Sequence, residues 1–154
     1  MVKKIDKLGF PPLEKHVGLA LWQMSELWEK RFGAEMVELG HTYFSEARSN
    51  ILRFVGPKGV SQASVVKRMG LSKQAVQQLI EELVMDGVVA KKPDPIDRRG
   101  RLIVLTQSGL SAMHDANIVK KRIEKEYEKM IGSEKLSNLI EVLQLLSSQI
   151  LNKS

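Results

Sequence analysis

Three glutamines with helical spacing, Gln74, Gln77 and Gln78, are the first candidates for contacts with another molecule. The hydrophobic residues among them recur at three- and four-residue intervals, which predicts a helix that buries Val76, Leu79, Ile80 and Leu83. At about 100° per residue, the opposite face carries Gln74 and Gln78, with Gln77 and Ala75 beside them. A glutamine amide can bind adenine through two hydrogen bonds, worth about 1–3 kcal/mol of discrimination. A solvated polar face is the alternative interpretation of the same pattern.

A second group of polar side chains lies in the run PDPIDRRG at residues 93–100, which is rich in turn-forming residues. Residues 88–92 and 102–105 are typical of short strands, so the run is predicted to be the tip of a β-hairpin. Arg98 and Arg99 on such a tip could enter the minor groove of DNA, whose negative potential attracts guanidinium groups. Because a carboxylate is repelled by phosphate, we expect Asp97 to orient a neighbouring guanidinium by a bidentate ion pair. A solvated charged loop is the alternative.

Positive charge is concentrated near these groups. Residues 57–101 hold nine basic and five acidic side chains, which is +4 of the total net charge of +6. Such a surplus attracts polyanions. The groups predicted to contact the phosphate backbone are Lys58, Ser61, Ser72, Lys73, Lys91 and Lys92. By contrast, lysines and glutamates alternate over residues 120–129, which is typical of a solvated helix face.

The elements that must position these groups are mostly helices. Hydrophobic periodicity and capping residues predict helices over residues 13–39, 45–55, 61–69, 72–85 and 107–130, and a last helix capped by Ser133. The second helix is predicted to bury Ile51, Leu52 and Val55, and the apolar line of the fifth is Ile118, Ile123, Tyr127 and Met130. A helix, a tight turn at Gly70-Leu71, a second helix and a two-stranded hairpin with a basic tip form the order of a winged helix-turn-helix. The predicted fold is therefore mainly α with a small β-hairpin wing. We expect one domain over residues 1–154, with a DNA-binding lobe at about 45–106.

The terminal helices, residues 13–39 and about 107–151, carry more apolar surface than one small lobe can cover. We therefore predict that they pack across a two-fold axis in a homodimer. The interface residues predicted are Val17, Leu21, Met24, Trp28, Leu139, Leu143, Leu146 and Ile150. A ligand-binding box is the alternative for the stripe of Trp22, Met24 and Trp28. In such a dimer, the helix over residues 72–85, which carries the glutamines, would serve as the recognition helix. Its two copies would enter successive major grooves about 34–36 Å apart.

Other functional classes find little support in the residues. The chain has no cysteine, which excludes disulfides and thiolate chemistry. It also has no phosphate-binding glycine loop and no hydrolase or metalloprotease motif, so we expect neither enzymatic activity nor a cofactor. Glu35, Glu38 and His41 could share a helix face and bind a metal, but we predict no metal site there. Without a signal sequence or a long apolar segment, the protein is expected to be soluble and cytoplasmic, with no membrane partner.

The wing and helix-turn-helix sequences resemble those of the MarR family of regulators. The resemblance lies in KKPDPIDRR at residues 91–99, followed by Leu105-Thr106 and Gly109, and in SQ at 61–62 and GLSK at 70–73. It is strongest over residues 57–109. Two departures are Ser64, which leaves the capping box at Ser61 incomplete, and the polar residues at 48–50.

The resemblance implies a homodimeric, sequence-specific regulator that binds a pseudo-palindromic operator in double-stranded DNA. It also implies repression that a small-molecule ligand relieves, in a crevice between the lobe and the dimer helices. Asp97 and Arg99 match the family's wing aspartate and minor-groove arginine. The rival hypothesis is a winged-helix module that binds another protein, for which a neutral or acidic recognition face would be expected.

Overall fold

The computed structural model describes residues 16–45 and 48–153 of the chain. Its helices are α1 (Val17–Glu38), α2 (Arg48–Leu52), α3 (Gln62–Met69), α4 (Lys73–Met85), α5 (Gln107–Ile131) and α6 (Ser133–Leu151), with a 3₁₀ turn at Thr42–Ser45. Three short strands, β1 (Val60–Ser61), β2 (Val89–Pro93) and β3 (Arg101–Leu105), form one antiparallel sheet in the order β1-β3-β2. The predicted fold class, mainly helical with a small β wing, is confirmed.

Helices α3 and α4 form the predicted helix-turn-helix pair, and both begin at the predicted caps. The hydroxyl oxygen of Ser61 accepts a hydrogen bond from the backbone N–H of Ser64 at 3.2 Å, and that of Ser72 accepts one from Ala75 at 3.1 Å. Gly70 ends α3 with φ of +64°, a left-handed conformation that glycine adopts without steric cost. The tight turn therefore follows from local sequence.

The sheet contains a strand that the sequence pattern did not predict. Val60 pairs with Ile103 and Ser61 with Leu102, on the opposite edge of β3 from β2. Two residues are too few to show an alternating pattern. Gly59, just before this strand, has φ of +82°, and a Cβ there would lie 2.7 Å from the carbonyl oxygen of Ile103. The third strand therefore requires a glycine at this close approach.

The helix predicted over residues 45–55 is shorter in the structure. Residues 46 and 47 lie outside the described residues, Ser45 belongs to the 3₁₀ turn, and α2 ends at Leu52. The N–H groups of Phe54 and Val55 bond to the carbonyls of Ile51 and Leu52, three residues back, at 2.9 and 3.3 Å. This tighter turn closes the helix before Gly56-Pro57. Ile51, Leu52 and Val55 are buried as predicted.

Helix α5 buries only part of the predicted apolar line, which includes Ile123. Ile118 and Met130 are exposed, whereas the fully buried residues on its inner face are Ala112, Ala116, Val119 and Ile123. These four residues follow the helical repeat, but two of them are alanines, which a search for large hydrophobic side chains does not find. Small residues let α5 pack closely against its neighbours. Tyr127 packs partly against the core, as expected.

The start of α6 also differs from the prediction. Gly132 occupies the N-cap position with φ of +89° and makes no side-chain capping bond, and Ser133 is the first helical residue. The chain must reverse direction between α5 and α6, and glycine allows the backbone conformation at that point.

The core lies between α1, the helices of the lobe, the sheet and α5. Its largest fully buried side chains are Met36, Ile51, Leu52, Ile80, Leu83, Ile103 and Ile123. Helix α1 ends at Glu38, close to the predicted end, and residues 13–15 of its predicted start lie outside the described residues. None of the helices described in residues 16–45 and 48–153 is long and apolar enough to span a membrane.

Candidate nucleic-acid interface

Helix α4 presents its polar face to solvent as the periodicity predicts. Val76, Ile80 and Leu83 are fully buried beneath it. On the other side, Gln74, Gln77 and Gln78 are exposed and Ala75 is half-buried. The amide of Gln78 donates a hydrogen bond to Glu82 at 3.4 Å, within the same exposed face. This side of α4 can therefore offer amide groups to an external partner.

The groups predicted to contact phosphate differ in their exposure and in their ion pairing. Lys58, Lys73 and Lys92 are exposed, and so is Ser72 at the start of α4. Lys91, in contrast, is half-buried and its ammonium group forms an ion pair with Glu81 of α4. The sequence analysis did not predict this pair, which joins β2 to the recognition helix. Lys91 therefore has a structural partner inside the lobe, whereas no ion pair between described residues involves the other lysines of the set.

The wing tip presents two exposed arginines, Arg98 and Arg99. No ion pair between the described residues involves either of them. Asp97 was predicted to orient a neighbouring guanidinium by a bidentate ion pair, and no such pair is present between the described residues. Its Oδ1 instead accepts a hydrogen bond from the backbone N–H of Arg99 at 2.9 Å. Asp97 therefore shapes the backbone of the tip and leaves the guanidinium groups free.

Asp94 is a second organiser of the tip, and the sequence analysis did not single it out. Its Oδ1 accepts hydrogen bonds from the backbone N–H groups of Ile96 at 2.9 Å and Asp97 at 3.3 Å. Only 9% of Asp94 is exposed. Asp97 closes the turn through its carbonyl, which accepts from the N–H of Gly100 at 2.8 Å. An aspartate side chain often accepts a hydrogen bond from the backbone N–H two residues later. The sequence Asp-Pro-Ile-Asp at residues 94–97 could therefore have predicted this turn.

Two further contacts join the recognition helix to the rest of the lobe. The guanidinium Nη1 of Arg48 on α2 donates to Oδ2 of Asp86, just after α4, at 2.6 Å. The hydroxyl of Thr106 donates to the carbonyl of Gly87 at 2.6 Å and also caps α5 by accepting from Gly109 at 3.0 Å. Because Thr106 lies between β3 and α5, these bonds connect the wing, the end of α4 and the start of α5.

The residues predicted for a dimer interface are mostly exposed in the single chain. Val17, Leu21 and Met24 on α1 are 63, 43 and 47% exposed, and α6 buries none of its residues. On α6, the exposed members are Leu139, Leu146 and Ile150, while Leu143 is half-buried.

Trp28 differs from the other predicted interface residues, because it packs within the chain. Its ring stacks on Phe32 with centroids 6.3 Å apart and meets the edge of Tyr127 at 6.1 Å.

A cleft with a volume of about 800 Å³ lies between α1, α2 and α5. Aromatic side chains of Trp28, Phe32 and Phe44 form part of its wall, and Ser49 and Asn50 from the polar stretch of α2 line another part. Charged groups lie at the same wall, among them Arg53, whose guanidinium is 3.5 Å from Glu29, and Lys120, whose ammonium lies 5.8 Å from the ring centre of Phe32. The cleft thus combines aromatic surface with cationic groups.

Two of the three residues considered for a metal, Glu35 and His41, have other partners. Glu35 is buried, with its two carboxylate oxygens 2.8 Å from Arg31 and 2.9 Å from Arg122. The imidazole Nδ1 of His41 lies 3.0 Å from the hydroxyl of Tyr43, and its Nε2 faces Asp115. No group of three histidines or carboxylates suited to a metal ion occurs within the part of the chain that the structure describes.

Tyr43 is buried near two carboxylates, those of Asp86 and Asp115. Burial raises the pKa of its phenol above the ordinary value, and the negative charges of Asp86 and Asp115 raise it further. Its side chain therefore stays protonated in the folded protein to higher pH than in the unfolded chain.

Comparison with known proteins agrees with this geometry. Residues 45–100 match the sequence model of the MarR family. The chain is 26% identical over 106 residues to the HTH-type transcriptional regulator TcaR of Staphylococcus aureus, which covers 67% of this chain and 70% of that protein. It also resembles the crystal structure of a MarR-family transcriptional regulator from Rhodococcus sp. RHA1, with a TM-score of 0.70, 24% identity and coverage of 89% and 96% of the two chains. CouR from Rhodococcus jostii RHA1, solved bound to p-coumaroyl-CoA, has a TM-score of 0.66 at 25% identity, covering 89% of this chain and 95% of CouR.

Proposed function

We propose that the chain, whose residues 45–100 match the MarR family, is a winged helix-turn-helix transcriptional regulator that binds a pseudo-palindromic operator in double-stranded DNA as a homodimer. The single observation that carries this proposal is the wing tip. Arg98 and Arg99 are exposed, without ion-pair partners among the described residues, on a turn ordered by Asp94 and Asp97. Guanidinium groups held in this way are suited to the narrow, electronegative minor groove.

The recognition helix reads sequence in this proposal. Gln74 and Gln78 face the major groove together with Ala75 and Gln77, and the amides pair with adenine. Phosphate contacts from side chains flanking α4 and β2 set the position of the lobe on the duplex. The groups assigned to that task are Lys58, Ser61, Ser72, Lys73, Lys91 and Lys92. Lys91 would contact a phosphate either while it keeps its ion pair with Glu81 or after it exchanges Glu81 for the phosphate.

The dimer is supported by the apolar surface left exposed on α1 and α6. Large hydrophobic side chains such as Leu139, Leu146 and Val17 would be covered by the same helices of a second copy. Such a two-fold arrangement would place the recognition helices about 34–36 Å apart, one turn of B-DNA. Trp28 contributes to this interface indirectly, since it supports α1 against α5 from inside the chain.

We further propose that the protein is a repressor whose affinity for DNA is lowered by a small molecule. The cleft between α1, α2 and α5 lies where the lobe meets the predicted dimer helices, and it combines aromatic walls with the cationic groups of Arg53 and Lys120. A ligand there shifts the operator affinity only if it prefers one separation of the two lobes over the other. CouR, a structural relative, was solved with an acyl-CoA ligand. The proposal includes no catalytic step and no cofactor, and it includes a cytoplasmic location.

The experiment is an unbiased selection of genomic fragments by the purified full-length protein, followed by affinity measurements on the recovered sequence over a range of salt concentrations. A dimer that makes about 6–10 phosphate contacts is expected to lose about 10³–10⁵ in affinity between 50 and 200 mM salt. Failure to enrich any sequence, or a flat salt response, would contradict the proposal and favour a protein-binding module. Repeating the selection with candidate metabolites tests the ligand.

A further inference from the structure

The tip of the wing carries a hydrophobic side chain that none of the described residues covers. Ile96 is 95% exposed, more than any other large hydrophobic side chain of residues 16–45 and 48–153. It lies between the exposed Pro95 and Asp97, two residues before Arg98. In the free protein this side chain contributes nothing to the core.

Ile96 is also held in place. Its backbone N–H donates to the buried carboxylate of Asp94 at 2.9 Å, and the neighbouring Asp97 N–H donates to the same oxygen at 3.3 Å. The base of the loop is closed by bonds between Asp94 and Gly100 at 3.3 Å and between Gly100 and Asp97 at 2.8 Å. Ile96 therefore lies on an ordered turn. Because Arg98 and Arg99 belong to the same turn, the three side chains would approach DNA together.

We infer that Ile96 is a specificity residue of the wing, which packs on the floor of the minor groove over A·T pairs and rejects G·C pairs; this inference rests on the proposed DNA-binding function. The minor groove of B-DNA is about 6 Å wide, and apolar side chains including isoleucine are known to insert there. The tip presents one such side chain beside two cationic ones.

The chemistry of the groove edges explains the expected preference. A·T pairs expose only acceptors in the minor groove, and these can be satisfied by Arg98 and Arg99, which are pure donors. A G·C pair adds the exocyclic amino group of guanine, which is a donor. Isoleucine cannot accept a hydrogen bond, and its side chain excludes water from the groove edge that it covers. A guanine beneath Ile96 would therefore lose water from its amino group without gaining a partner.

The test uses the full-length protein and the operator recovered by the selection described above. Base pairs under the wing are identified as those whose protection from hydroxyl radicals is lost in Arg99→Ala. At these positions A·T is replaced by G·C or by inosine·C, which lacks the amino group, and Kd is measured by fluorescence anisotropy. For the wild type we expect G·C to weaken binding about tenfold, since one buried donor loses its partner, and inosine·C to restore it.

Two variants decide whether Ile96 causes the preference. Ile96→Ala should bring the A·T and G·C affinities to within about twofold of each other, whereas the control Met85→Ala should keep the wild-type ratio, because Met85 is similarly exposed, at 86%, but lies at the far end of α4. An unchanged ratio in Ile96→Ala, no preference in the wild type, or failure of inosine·C to restore binding would each overturn the inference.

These outcomes are separable from failure of the proposed function. If the wild type enriches no DNA sequence, the DNA-binding proposal itself fails. If the wild type binds its operator but Ile96→Ala keeps the wild-type ratio of A·T to G·C affinity, the DNA-binding proposal stands. The preference is then assigned to groove width sensed by the arginines.

Discussion

The imidazole Nε2 of His41 lies 2.8 Å from Oδ2 of Asp115, across 74 residues of sequence. His41 follows α1, and Asp115 lies on α5, so this contact ties the connection that leads into the lobe to one of the predicted dimer helices. Tyr43 extends it through its hydroxyl, 3.0 Å from the other ring nitrogen. Any movement of the lobe relative to α5 must break or carry this polar contact.

Removal of the Asp115 carboxylate should destabilise the fold measurably. Asp115→Ala leaves the half-buried imidazole without its acceptor, and we expect the free energy of unfolding to fall by about 1 kcal/mol. Urea denaturation at pH 7 measures it. The neighbouring His114 is exposed, so His114→Ala should stay within about 0.5 kcal/mol of wild type. Equal stability of both variants would show that the contact contributes nothing.

Tyr43 predicts how stability changes at alkaline pH. Since the folded protein raises the pKa of this phenol, the folded state keeps a proton that the unfolded chain releases first. The resulting stabilisation is fully present below the unfolded pKa of about 10 and is lost as pH rises through the higher folded value. Tyr43→Phe should therefore show a flatter decline of unfolding free energy between pH 8 and 11. Tyr127→Phe, which leaves Tyr43 in place, should retain the wild-type decline.

Arg99→Ala should separate DNA binding from stability. The guanidinium has no ion-pair partner among the described residues, and Asp97 bonds the backbone N–H that alanine also has. We expect operator affinity to fall about 10- to 100-fold, as for loss of a charged hydrogen-bond donor, with a free energy of unfolding within about 0.5 kcal/mol of wild type. Anisotropy and urea denaturation on the same preparation measure both. Retained affinity in the folded variant would remove the wing from the interface.

The matched control is Arg53→Ala. It deletes the same charge from the wall of the cleft, where Arg53 faces Glu29 at 3.5 Å. Its operator affinity should change much less than that of Arg99→Ala.

The glutamine face should govern sequence discrimination. In Gln74→Ala/Gln78→Ala, we expect the preference for operator over a duplex with the contacted adenines replaced to fall by about 1–3 kcal/mol for each lost bidentate pair. Competition binding with the two duplexes measures this ratio. Lys73→Ala should instead weaken binding to all sequences. It should also reduce the slope of log affinity against log salt concentration by about 1, because one phosphate contact is lost. A double variant with undiminished preference would assign base reading to other residues.

The exposed apolar face of α6 should control assembly. Leu146 is 42% exposed, and Leu146→Glu would bury a charge in the proposed interface, so we expect monomers at micromolar concentration in sedimentation experiments. Ser148→Glu places the same charge on the opposite side of the helix and should remain dimeric. A dimeric Leu146→Glu protein would place the interface elsewhere.

Features that depend on neighbouring residues could be predicted from the amino-acid sequence. The caps at Ser61 and Ser72, the glycine turn between α3 and α4, and the polar face of α4 each follow from one helical turn of chain or from helical periodicity. The hairpin and its basic tip follow from strand propensity and turn chemistry in the same way. Even the Asp94 turn was encoded locally, in a motif that spans four residues.

Contacts between distant segments were decided only by tertiary packing. The pairing of Lys91 with Glu81, the placing of Arg48 against Asp86, and the inward packing of Trp28 depend on the angle and distance at which whole elements meet. The same holds for the alanine stripe of α5 and for β1, which is a strand only because β3 lies beside it. A residue's own sequence neighbours define which face of its element it occupies, whereas its partner is defined by whatever the fold brings opposite that face.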